Sequence, residues 1–154
     1  MTLISRRGFL AASAATLSTA ALPRFAMAQN AISLSAATRV LDVNGRAAIV
    51  FGLEGPSGQG LVLNPGQRFR ASLTNRLDVP TLIHWHGQIP PNEQDGVPDL
   101  PQPMLQPDET RSYDYEPLPG TYWMHAHIPL QEMNLLAAPL IVRSAEDVAA
   151  DRQE

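Results

Sequence analysis

Every histidine in this chain belongs to one of two His-x-His pairs, His84-Trp85-His86 and, further along, His125-Ala126-His127. Alternate residues of a strand point to one face, so each pair can present two imidazoles side by side. Two such strands packed together bring four to one place. Neutral imidazole is a ligand of borderline transition metals, and copper and zinc suit it best. A lone histidine, or one such pair, could serve the surface or the core alone. Two pairs that use all the histidines point instead to a metal site. Four imidazoles accept either metal, and copper generally binds the tighter.

Strands must position these pairs. No segment shows a sustained helical period, while short alternating runs bounded by Gly, Pro, Asn and Asp recur, so an all-β sandwich or barrel is predicted. Ile32 and Leu34 alternate with serines, and residues 39–43 lead through the hairpin-type turn Asn44-Gly45 into residues 47–51. The glycine-rich piece 52–60 reads as a loop. Residues 67–74 form the clearest half-buried strand, with Phe69, Ala71 and Leu73 on one face. Residues 75–80 turn into the first histidine strand, where Leu82, His84 and His86 oppose Ile83 and Trp85, the latter expected as a core anchor. Between Pro90 and Pro107 six prolines in eighteen residues predict a long, stiffened loop carrying Asp95-Gly96, suited to wall a site. Residues 110–116 alternate with Tyr113 and Tyr115 on one side. Pro119-Gly120 turns into residues 121–128, where Trp123, His125 and His127 share a face. Residues 130–135 read as a short helix or a loop, and 136–142 as a last apolar strand in which Pro139 suggests an edge or a bulge. Met104, Met124 and Met133 read as core or surface filler rather than metal ligands.

Residues 1–28 read as an export signal: Arg6-Arg7 is of the twin-arginine type, and Ala26-Met27-Ala28 offers a cleavage site. The apolar run between them is too short and too rich in Ser and Thr to span a bilayer well. The remaining 126 residues suffice for one domain. They hold eight arginines, no lysine and all fifteen acidic residues, a formal charge of −7, which argues against nucleic acid or an anionic membrane as partner. Cysteine is absent, which excludes disulfides and any thiolate ligand.

His84-Trp85-His86-Gly87, Asp95-Gly96-Val97-Pro98, Gly120-Thr121-Tyr122-Trp123-Met124-His125-Ala126-His127, Gln131 and Leu140-Ile141-Val142, in this order and spacing, resemble the N-terminal cupredoxin domain of multicopper oxidases, the laccases and bacterial copper-resistance oxidases. The likeness covers residues 38–142. It implies a cupredoxin-like Greek-key β-sandwich and half of a trinuclear copper centre. By analogy His84 would bind the type 2 copper, and His86, His125 and His127 the type 3 pair. Asp95 matches the family's acidic residue that relays protons as dioxygen is reduced, although an Asp-Gly turn residue is an equal reading. Met124 and Ala126 depart from the family's usual residues, at positions that are not ligands.

Family enzymes take electrons through a type 1 copper, whose cysteine lies in a C-terminal domain that also supplies four more histidines. With neither present, the resemblance implies an oxidase incomplete on its own. The expected organisation is a signal peptide over 1–28, the cupredoxin domain over 29–143 and the start of an interdomain linker over 144–154, in a truncated or split gene product. The leading expectation is therefore a periplasmic copper-binding piece that works with a separate polypeptide carrying the C-terminal domains, or as a homo-oligomer. The alternatives are a stand-alone copper-sequestering protein and a cupredoxin domain kept for protein contacts, the last disfavoured by retention of all four histidines.

Overall fold

The computed structural model describes residues 30–97 and 102–150, so the proposed signal peptide and part of the proline-rich loop lie outside the described residues. Among the described residues nine strands form two sheets: β1 (Ile32–Val43), β2 (Arg46–Gly55), β3 (Gly58–Gln59), β4 (Leu61–Leu63), β5 (Phe69–Asn75), β6 (Ile83–His86), β7 (Thr110–Tyr115), β8 (Gly120–Ala126) and β9 (Ala137–Val142). One sheet has the order β3-β2-β1-β5-β7 and the other β4-β9-β8-β6. The parallel pairings β1 with β5 and β4 with β9 break up an otherwise antiparallel arrangement. The architecture is the cupredoxin-like β-sandwich.

Alternation builds the core. Phe69, Ala71 and Leu73 of β5 point inward, as do Tyr113 and Tyr115 of β7, and they meet Ile83 and Trp85 of β6 and Met124 of β8. Phe69 lies at the centre, its ring 4.7 Å from both Trp85 and Tyr115, and Trp85 meets Tyr113 edge-on at 4.8 Å. Trp85 is fully buried and its indole N–H donates to the Gln94 carbonyl at 2.8 Å, so the core anchor also fastens the loop that follows β6.

The Asn44-Gly45 turn forms as predicted, both residues having positive φ, with Val43 opposite Arg46. Residues 52–60 differ from the prediction: β2 runs on to Gly55 and folds back as β3. Gly52 sits in a strand because a side chain there would strike Arg39, whose Nε donates to the Phe51 carbonyl at 3.1 Å. Pro139 likewise lies in an inner strand rather than at an edge or bulge. It precedes the ladder to β4, which starts at Leu140, and its ring rests against Gly60, where a Cβ would have no room. Residues 130–135 resolve as a short helix, Pro129–Met133. A second, Ala145–Ala149, is closed by a capping box between Ser144 and Asp147. Met124 is core filler, and Met133 lies on the surface.

Candidate metal centre

Because Ile83 and Trp85 take the inward positions of β6, His84 and His86 must face outward. In β8 the inward Met124 and Ala126 turn Trp123, His125 and His127 the same way. The β6–β8 register sets His84 opposite His125 and His86 opposite Trp123. All four imidazoles therefore gather on the outer face of one sheet. The His84 ring lies 5.7, 5.5 and 5.2 Å from those of His86, His125 and His127, centre to centre. One donor nitrogen each of His84, His86 and His125 lies within 4.8 Å of the others.

Main-chain acceptors set the tautomers. His84 Nδ1 is 2.8 Å from the Asp95 carbonyl oxygen and His125 Nδ1 is 3.1 Å from that of Ala126. A carbonyl only accepts, so in both rings Nδ1 carries the proton and Nε2 keeps the lone pair that a metal needs. His86 Nδ1 faces His125 Nε2 at 3.3 Å. Two nitrogens bonded at about 2.0–2.1 Å to one ion with a tetrahedral angle stand about 3.3–3.4 Å apart. The residues present thus fit a transition metal. His125 is buried, and burial holds its imidazole below the ordinary histidine range, against opposing pulls from the Ala126 carbonyl and the Glu132 carboxylate and with a further lowering from His84 and His86. It is neutral at pH 7, the form that ligates. Trp123 stacks on it at 4.0 Å and 14°.

The proline-rich loop does wall the site. Its short 3-10 turn, Asn92–Gln94, brings Asp95 beside His84, with Oδ1 3.5 Å from Nδ1. Asp95 is also a turn residue, its N–H bonded to the Asn92 carbonyl, as the Asp-Gly pair suggests. Gly96 has φ +77 and lies so close to the Ile83 carbonyl that no Cβ fits.

Gln131, noted only as a motif residue, proves to be a clamp. It is buried, accepts from the Thr81 hydroxyl at 2.6 Å and donates to the Pro80 carbonyl at 2.7 Å, tying the helix after the second histidine pair to the approach of the first. Glu132 went unnoticed in the sequence, since nothing in its spacing marks it. Its Oε1 lies 3.5 Å from His125 Nδ1.

Comparison with known proteins agrees with this geometry. Residues 35–147 match the family model for multicopper oxidases. The chain belongs to the multicopper oxidase family, which implies copper. It is 39% identical over 105 residues to copper resistance protein A of Escherichia coli, covering 66% of this chain and 17% of that protein. With copper resistance protein A of Pseudomonas syringae pv. tomato it shares 36% over 118 residues, covering 73% and 19%. A multicopper oxidase structure from Pseudomonas thermotolerans superposes with a TM-score of 0.68 at 34% identity, over 75% of this chain and 29% of that one. The chain thus spans less than a fifth of the length of these two curated relatives.

Proposed function

We propose that this chain supplies the first half of a trinuclear copper site that reduces dioxygen, with His84 directed to the type 2 ion and His86, His125 and His127 to the type 3 pair. The observation that carries this reading is the 3.3 Å approach of His86 Nδ1 to His125 Nε2, with the His84 and His125 tautomers leaving Nε2 unprotonated in both rings. Copper, when bound, would supply the one-electron steps and the oxygen binding. The chain's own residues do the rest. The Asp95 and Ala126 carbonyls aim the two Nε2 atoms, Trp123 covers one face of His125, and the Asp95 carboxylate holds a proton acceptor next to His84.

In this reading further cupredoxin domains supply the remaining ligands and the electron entry site; a second copy of this chain, which has no cysteine, would bring further histidines but no such entry site. Export by the twin-arginine route would deliver the domain to the periplasm, where no membrane or nucleic acid contact is needed. Among the described residues no helix is long and apolar enough to cross a membrane.

Copper titration followed by electron paramagnetic resonance tests the reading. Binding should be lost when His86 and His125 are both changed to alanine, and unchanged binding in that variant overturns it. The chain alone should not turn over phenols or cuprous ion with dioxygen, and sustained oxidation by it would refute the half-site. A stand-alone copper-binding role remains the second reading, favoured by donor nitrogens of three histidines lying within 4.8 Å of one another on this one chain.

A further inference from the structure

Glu132 faces the proton-bearing side of the most buried imidazole. Its Oε1 lies 3.5 Å from His125 Nδ1, the atom whose hydrogen the Ala126 carbonyl accepts at 3.1 Å. Its backbone is fixed on both sides, since Glu132 N–H donates to the Ile128 carbonyl at 3.0 Å and its own carbonyl accepts from Leu135 at 2.9 Å. The neighbouring Gln131 clamps the same helix to Pro80 and Thr81, so the carboxylate is held against His125 by structure that also locates the other histidine pair. The partners differ in exposure: the His125 side chain is nearly enclosed, at 6%, whereas Glu132 is 39% exposed. The charge therefore stays hydrated while its field reaches a ring that water does not.

We propose that Glu132 is a positioning residue for the metal site, which keeps His125 in the Nδ1–H tautomer and strengthens Nε2 as a donor. A carboxylate behind a ligating histidine fixes ring orientation and raises ligand basicity. Here the main-chain carbonyl accepts the N–H and the carboxylate lies 3.5 Å from the same nitrogen, so the ring has a polar reason not to flip. The negative charge also offsets part of the positive charge that a metal ion brings to the opposite nitrogen. Asp95 stands in a like relation to His84, at the same 3.5 Å, so each of the two directly opposed histidines has a carboxylate at its back.

This inference rests on the metal reading for its purpose but not for its first test. In the metal-free protein, long-range nitrogen–proton spectra of His125 should show the Nδ1–H tautomer. The isosteric Glu132→Gln variant should move that proton resonance upfield and speed its exchange with water. In the second test, Cu2+ and Zn2+ affinities are measured by chelator competition. Glu132→Ala should weaken binding about 10- to 100-fold, Glu132→Gln should fall between, and Glu132→Asp should recover part of the loss. An unchanged His125 Nδ1–H resonance in Glu132→Gln, or equal metal affinity for the wild type and that variant, overturns the proposal. Should the wild type bind neither metal, the metal reading fails, and the His125 resonance still decides whether Glu132 orients the ring.

Discussion

Gly45 and Gly96 share a φ of +77, yet one stands in open space and the other against the histidine strand, so replacing each by alanine separates backbone strain from contact. Left-handed backbone costs an L residue about 1–2 kcal/mol, and Gly45→Ala should lose that much, because nothing lies within 4 Å of its added methyl. At Gly96 the methyl would land on the Ile83 carbonyl, 2.6 Å from its carbon and 3.0 Å from His84 Cα. Carbon atoms rest at about 3.5 Å or more, so the loop must retreat by roughly an ångström. That retreat breaks the bond from His84 Nδ1 to the Asp95 carbonyl and the one from the buried Trp85 indole to Gln94, both 2.8 Å. The first is worth about 1 kcal/mol, and leaving the indole N–H unpaired in the core costs about 1–3. Gly96→Ala should therefore cost about 3–6 kcal/mol in urea unfolding, against about 1–2 for Gly45→Ala. It should also release His84 from a single tautomer. Equal losses for the two variants would refute the account of the loop as the device that aims His84.

Gln131→Ala leaves the Thr81 hydroxyl and the Pro80 carbonyl without their partner, and urea unfolding should show a loss of about 2–4 kcal/mol; a loss under 1 would mean that water replaces the clamp. The Tyr115 hydroxyl is buried with no hydrogen-bond partner among the described residues, and burial pushes its ionisation upward. Tyr115→Phe should accordingly be neutral or stabilising by up to about 1 kcal/mol, and a clear destabilisation would expose an unrecognised partner. Burial holds His125 below the ordinary imidazole range in the folded state. As pH falls from the unfolded value towards the folded one, the unfolded chain takes up a proton that the native chain does not, so stability declines there and is full above it. Urea midpoints of the metal-free protein between pH 7.5 and 5 should fall, and His125→Gln should flatten that limb; parallel slopes would contradict it.

The fold was legible where one face of a strand is buried and the other is not. Phe69, Ala71 and Leu73, or Tyr113 and Tyr115, announce their strands because sheet packing needs period-two alternation. It was illegible where a glycine or proline serves a neighbour rather than its own backbone. Gly52 makes room for Arg39, and Pro139 leans on Gly60, contacts between residues far apart in sequence that local composition does not encode. The same division runs through the site. Four histidines in two pairs are a pattern, and the outward faces of β6 and β8 follow from it. Glu132 and the clamp of Gln131 depend on where a short helix docks, which no spacing states.

The two members of each pair are not equivalent in how they are held. His84 and His125 each give Nδ1–H to a main-chain carbonyl, so their tautomers are set by the fold before any ion arrives. His86 and His127 are exposed, and among the described residues neither ring meets a main-chain acceptor. The main chain therefore sets the tautomer of one imidazole on each strand, while the other two rings rest on side chains, His86 Nδ1 on His125 Nε2 at 3.3 Å and His127 stacked on His84. In the half-site proposed above, the two rings with main-chain-set tautomers would define where an ion sits relative to this sheet. By this logic replacing His84 or His125 should abolish metal geometry. Replacing His127 should weaken binding while leaving the spectroscopic signature of the remaining site recognisable.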